Sequence, residues 1–102
     1  MTLCTFVHIV YCVSVEFDPK KAQSNLKKHG VAFSAASASL LDPLALVIED
    51  PDAEGEQRWL LIGLSEIGLL VVCYALHGEE TIRLISARKA TTKEKKYYAQ
   101  GI

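Results

Sequence analysis

Between Leu44 and Ala87 the hydrophobic period of the chain is two, and short polar breaks divide it into four segments. Leu44 to Glu49, Arg58 to Leu64, Leu69 to Leu76 and Thr81 to Ala87 each read as a strand. The breaks are Asp50-Pro51-Asp52-Ala53-Glu54-Gly55, Glu66 to Gly68, and His77-Gly78-Glu79-Glu80, all rich in turn formers. A parallel crossover needs about a dozen residues or more, so strands joined by loops this short must pair antiparallel. The expectation is a four-stranded antiparallel meander with Leu69 to Leu76, the longest apolar run, at its centre.

Helices flank this sheet. Asp18-Pro19 is an N-cap acid followed by proline at the first helical position, where the missing N–H costs nothing. That helix runs through Lys28-His29 and stops at Gly30, a C′ glycine. Ala22, Asn25, Leu26 and His29 share one face of it. A second short helix from Ser34 to before Asp42-Pro43 packs through Phe33, Ala36, Leu40 and Leu41. Thr91 with Glu94 three residues on forms a capping box for a C-terminal helix. The fold class is therefore α+β: two N-terminal helices, a four-stranded antiparallel sheet and a short C-terminal helix, with the helices packed on one sheet face.

Val13 to Phe17 is a candidate further strand. Residues 1–13 form an N-terminal extension too short and too interrupted to span a bilayer, without the cationic start of a signal peptide. The alternating Phe6, His8 and Val10 fit an extra strand. They fit equally a stretch upstream of the true start, since Met1 is the only methionine. Residues 14–102 then make one domain, a size consistent with a single modest core.

The chain carries a net charge of −1, unevenly spread. From Arg83 to Ile102 there are six Lys/Arg and one acid, Glu94, while Asp42 to Glu80 holds nine acids and one base, Arg58. A basic end on a neutral protein points to phosphate recognition. The acidic middle is either a solvated edge or a docking surface for a basic partner. Cys4, Cys12 and Cys73 lack metal-ligand spacing, and Cys73 reads as a buried free thiol, which implies a reducing cytoplasmic compartment. No metal or cofactor is implied.

Cleaving RNA without a metal takes a base for the 2′-hydroxyl proton, cations for the crowded phosphate and an acid for the leaving oxygen. Arg83, Arg58, His29 and Tyr97 are the candidates for this chemistry. Lys28, Arg88, Lys89, Lys93 and Lys96 are the candidates for holding RNA. Strict alternation places Arg83 and Arg88 on opposite faces of their strand, to be reunited only if a bulge or the strand's end re-aims Arg88. Arg88 is equally suited to bridging structure. His29, on the packed face of its helix, equally suits a structural tie to the sheet. His8 and His77 read as bystanders. Tyr97 and Tyr98 are adjacent, so one can pack while the other stays exposed for stacking or proton transfer.

Two residue runs carry a resemblance. The first is Glu16-Phe17-Asp18-Pro19-x-Lys21-Ala22-x-x-Asn25-x-x-Lys28-His29-Gly30-Val31-x-Phe33. The second comprises Asp42-Pro43, Glu49-Asp50, Arg58-x-x-x-Ile62-Gly63, and Arg83-x-Ile85-Ser86-Ala87-Arg88-Lys89-Ala90-Thr91 with Glu94 and Tyr97. Over residues 14–98 the chain resembles the BrnT toxin family. Phe17 stands where that family often has tryptophan, and Ala35 where it often has an acid. The resemblance implies a RelE/ParE-like small toxin fold and a ribonuclease toxin of a type II toxin–antitoxin pair that cleaves mRNA and inhibits translation. It also implies a BrnA-like ribbon-helix-helix antitoxin that forms a hetero-oligomer with the toxin and provides its only route to DNA. The other reading is a degenerate, non-catalytic toxin that serves as an antitoxin-binding module and transcriptional co-regulator.

Overall fold

The computed structural model describes the backbone of residues 2–6, 10–51, 55–77 and 81–100, and side chains from Val15 onward within those ranges. His8, residues 52–54 of the acidic loop and the Gly78-Glu79-Glu80 turn lie outside the described residues. The side chains of Cys4 and Cys12 do so too. The elements run β1 (Thr2–Phe6), β2 (Val10–Glu16), α1 (Pro19–His29), α2 (Phe33–Leu40), β3 (Leu46–Glu49), β4 (Trp59–Ser65), β5 (Gly68–His77), β6 (Thr81–Lys89) and α3 (Thr92–Gln100).

The four expected strands form the antiparallel meander β3-β4-β5-β6. The sheet is nevertheless six-stranded and mixed, not four-stranded and antiparallel, in the order β1-β2-β6-β5-β4-β3. β1 and β2 make a hairpin, and β2 joins β6 in parallel through Ser14, Val15 and Glu16 opposite Thr81, Ile82 and Arg83. That pairing links residues more than sixty positions apart, and no local pattern encodes it. β3 starts two residues later than expected because Asp42 accepts the Leu44 amide at 2.9 Å, an Asx turn that occupies the strand's first residues.

α1 forms as its punctuation dictates. Asp18 accepts the Lys20 amide at 2.9 Å, and Gly30 closes the helix at φ 70°, donating its N–H to Leu26 O at 2.8 Å. Asn25 is buried and Ala22 packs on the core, whereas Leu26 turns outward. In α2, Phe33 and Ala36 are buried and Leu40 packs beside them, but Leu41 is exposed. α2 can lie close on β4 only because residue 63 is glycine: a Cβ there would sit 2.5 Å from Ser39 O.

Helices cover both faces of the sheet, where one was expected. Val15, Val31, Phe33, Ala36, Leu70, Val72, Leu84 and Ala87 form the core beneath α1 and α2. On the opposite face Ile62, Val71 and Ala90 pack with Leu60, Leu69 and Tyr98 beneath α3. Leu70 to Cys73 are buried without interruption, as a strand covered on both sides must be.

Two polar devices hold the helices to the sheet. β2 leaves β6 after Arg83, so among the described residues the backbone of β6 beyond that point has no strand partner on its α1 side. The Asn25 amide takes that place. Its Nδ2 donates to Ala87 O at 2.9 Å and to Val31 O at 2.9 Å, and its Oδ1 accepts from Ala87 N at 3.0 Å.

α3 is held by the Arg88–Glu94 fork, with bonds of 2.7 and 2.8 Å. Thr91 and Glu94 complete the expected capping box at 2.8 and 3.3 Å. At the far end of α3, Tyr98 donates its hydroxyl to Asp42. Burial alone would raise the Asp42 pKa, but hydrogen bonds from Tyr98, Leu44 and Leu64 outweigh it and hold the carboxyl below its usual range. The same bond pushes the Tyr98 phenol up.

Asn25→Leu keeps the volume but strands a buried N–H and two carbonyls, so urea denaturation should report a loss of about 2–4 kcal/mol. A second outcome concerns acid. The Arg88 hydrogen bonds, followed by the smaller effect of the Thr91 amide, hold the Glu94 carboxyl at about 2, below the ordinary 4.5. A carboxyl lowered on folding stabilises above its unfolded pKa, and that contribution fades as pH falls from about 4.5 towards 2. Glu94→Gln should therefore flatten the loss of stability across that window while lowering stability at pH 7.

Candidate functional site

β5 and β6 are out of step by one residue: Cys73 faces Ser86, but Tyr74 faces Leu84, which leaves Ile85 as a bulge. The bulge reverses the alternation after Leu84. Arg83 lies opposite Ala75 and Arg88 opposite Val71, so both arginines, with Ser86, project from the α3 face. Strict alternation had separated them, and the extra residue is the physical reason they share a face. Arg88 is nevertheless committed to Glu94, and its guanidinium pKa is raised by that hydrogen bond.

Arg83 is half-buried in a cleft of about 330 Å³ formed with Glu16, Phe17, Asp18 and His77. Three strands build it. Glu16 on β2 lies opposite Arg83, and His77 on β5 lies opposite Thr81, so the two flank β6 from either side. They meet across it: His77 Nδ1 and Glu16 Oε1 are 2.8 Å apart, with both side chains about half exposed. Nδ1–H donating to the carboxylate leaves Nε2 as the nitrogen available to a ligand. Phe17 closes one wall, edge-on to Phe33 with centroids 5.3 Å apart.

A second cleft lies further along the same free edge of β6, between α1 and the bulge. Lys21, Ser24, Asn25, Lys28 and His29 line it from the helix, and Ile85 and Ser86 from the strand. Lys28 and His29 are therefore brought together. The tie between α1 and the sheet is Asn25, however, not His29.

The remaining expected residues sit elsewhere. Tyr97 is exposed on α3, with Lys93 Nζ 5.9 Å from its ring centre, and lines an apolar groove over β3 and β4. Lys89 and Lys96 are exposed, as is Lys93. Arg58 precedes β4 with its Nε buried and lacking a hydrogen-bond partner among the described residues. Its positive charge acts on the Cys73 thiol, which burial nevertheless pushes up. Arg83, His29 and Tyr97 thus line three different clefts.

His77 was missed from sequence, where it reads as a turn residue, and so was Glu16 as its partner. Their pairing depends on β2 docking beside β6, and the spacing of the two residues carries no signal of that. Among the described residues no group of three His, Cys, Asp or Glu side chains is placed to hold a metal ion. Nor is any helix there long and apolar enough to cross a membrane.

The model of a family described as the ribonuclease toxin BrnT of type II toxin–antitoxin systems matches residues 17–94. The fold is similar to the crystal structure of the Brucella abortus ribonuclease toxin BrnT, with a TM-score of 0.61 at 25% identity. That match covers 78% of this chain and 99% of the Brucella chain. No curated protein matches the chain. With the family model spanning most of its length, on a fold shared with a solved member, the chain belongs to the BrnT family of ribonuclease toxins of type II toxin–antitoxin systems.

Proposed function

We propose that the chain is a metal-independent endoribonuclease that cuts mRNA, inhibits translation and is neutralised by a BrnA-like ribbon-helix-helix antitoxin in a hetero-oligomer. It would act in the cytoplasm and meet DNA only through that antitoxin. The observation that carries this reading is Arg83 in a cleft beside an imidazole already oriented by a carboxylate.

RNA supplies its own nucleophile. The 2′-oxygen bonds to phosphorus as its proton passes to a base. The bond from phosphorus to the 5′-oxygen then breaks, and that oxygen takes a proton, leaving a 2′,3′-cyclic phosphate and a 5′-hydroxyl. His77 suits the base: Glu16 fixes the ring through Nδ1 and leaves Nε2 to accept the proton. Arg83 suits the phosphate, since its planar fork can span two oxygens as negative charge grows on them. His29, in the adjoining cleft with Lys21 and Lys28, is the candidate acid, and the two lysines would take neighbouring phosphates. Tyr97 with Lys93 offers a stacking surface for a flanking base, and Lys89 and Lys96 add charge for the strand.

The test is cleavage of a defined RNA by purified protein, with and without EDTA. Arg83→Ala should lower the rate roughly 10²–10³-fold and His77→Ala roughly 10²-fold, with EDTA leaving the wild type unaffected. Cleavage by Arg83→Ala at the wild-type rate would overturn the site, and loss of activity in EDTA would overturn the metal-free chemistry. Tight antitoxin binding without any cleavage by the wild type would instead favour the non-catalytic module.

A further inference from the structure

The Arg83 cleft has a wall that the cleavage chemistry leaves idle. Glu16 stands opposite Arg83, and the chain then leaves the sheet through Phe17 and Asp18, both of which line the cleft. Phe17 is 38% exposed, although it is a large aromatic. Its contact with buried Phe33 is edge-on, with the rings inclined at 85°, and such a contact takes up at most one face of the Phe17 ring. Phe33 also anchors that ring, so little side-chain freedom is lost when something packs on it. A held, part-exposed aromatic beside an arginine that can take a phosphate is an arrangement on which unpaired bases stack.

Asp18 gives the same wall a polar edge. A carboxylate repels phosphate, so what Asp18 can accept in this cleft is an N–H donor of a base. Its Oδ1 takes the Lys20 amide at 2.9 Å, but each carboxylate oxygen offers two acceptor sites, so room for two further donors remains. Guanine carries two donors side by side, its ring N1–H and its exocyclic amine. Adenine and cytosine place an amine next to an acceptor, and uracil has one N–H between two carbonyls. Two parallel bonds to one carboxylate therefore favour guanine.

We infer that Phe17 and Asp18 form a guanine-binding subsite for the base of the nucleotide whose 2′-hydroxyl is attacked on phosphorus. The inference rests on the ribonuclease reading and deepens it by naming the preferred base. A cleft of about 330 Å³ lies at the small end of ligand pockets, roughly 300–1,000 Å³, and suits one nucleotide better than a run of them. With Arg83 on the phosphate and His77 at the 2′-hydroxyl, the wall left for that nucleotide's own base is Phe17 and Asp18.

The probes are the four nucleoside 3′-monophosphates, titrated calorimetrically into the whole chain. The guanosine form should bind at least about fivefold tighter than the uridine form. Phe17→Leu should weaken it roughly tenfold, and in RNA cleavage should raise KM by a similar factor while kcat stays within about twofold. Phe17→Trp keeps an aromatic face and should bind at least as tightly as wild type. Asp18→Asn preserves a good helix cap, so the fold stands, but should erase the preference for guanosine over uridine. These two variants carry the test even if Phe17→Leu does not fold. Equal binding of the guanosine and uridine forms by the wild type overturns the inference, as does an unchanged preference in Asp18→Asn. RNA cleavage without any base preference would strike this subsite and leave the ribonuclease reading standing. Guanosine-selective binding without cleavage would support the subsite and strike that reading instead.

Discussion

One side-chain amide lets this architecture close. β6 lies between β5 and β2, but β2 departs after Glu16, leaving half of β6 without a described strand partner beside α1. A buried backbone without partners costs free energy comparable to lost hydrogen bonds. Asn25 supplies one donor and one acceptor to Ala87 with the geometry of a neighbouring strand, and its second donor bond goes to Val31. The same three bonds fix how α1 lies along β6, and so where Lys21, Lys28 and His29 sit relative to the bulge. The second cleft exists because a helix stands where a strand would otherwise be.

The basic C-terminal stretch divides into structural and available charge. Arg88 is consumed in a two-point bond with Glu94 that docks α3. Arg83, five residues earlier, keeps its guanidinium in an open cleft. The bulge at Ile85 puts both on one face, so a single arginine-bearing surface holds its own helix with one residue and faces solvent with the other. Opposite-charge partners decide the difference: Glu94 is three residues beyond Thr91 in a capping box and already aimed at the helix start, whereas Glu16 near Arg83 is engaged with His77.

Much of the framework was legible along the chain because its causes are local. Asp18-Pro19 and Gly30 start and stop α1 through their own backbone chemistry, and Thr91 and Glu94 cap α3 within one turn. The turns between β3, β4, β5 and β6 are too short for anything but antiparallel pairing. The candidate site was less legible. Arg83, Lys28 and His29 stood out by charge and position and do line clefts, but Tyr97 faces a different one, and nothing along the chain joined His77 to Glu16.

The sequence by itself determined the helices, the four-strand meander, the basic end and the resemblance to BrnT toxins, since caps, turns and residue runs act over a few positions. Tertiary structure alone decided the parallel docking of β2 on β6, the Ile85 bulge and the side of the sheet on which α3 lies. Those three settle which charged groups meet. Each depends on contacts between residues distant in the chain, where the energy lies in filling a core and satisfying a strand edge and no local preference points the way.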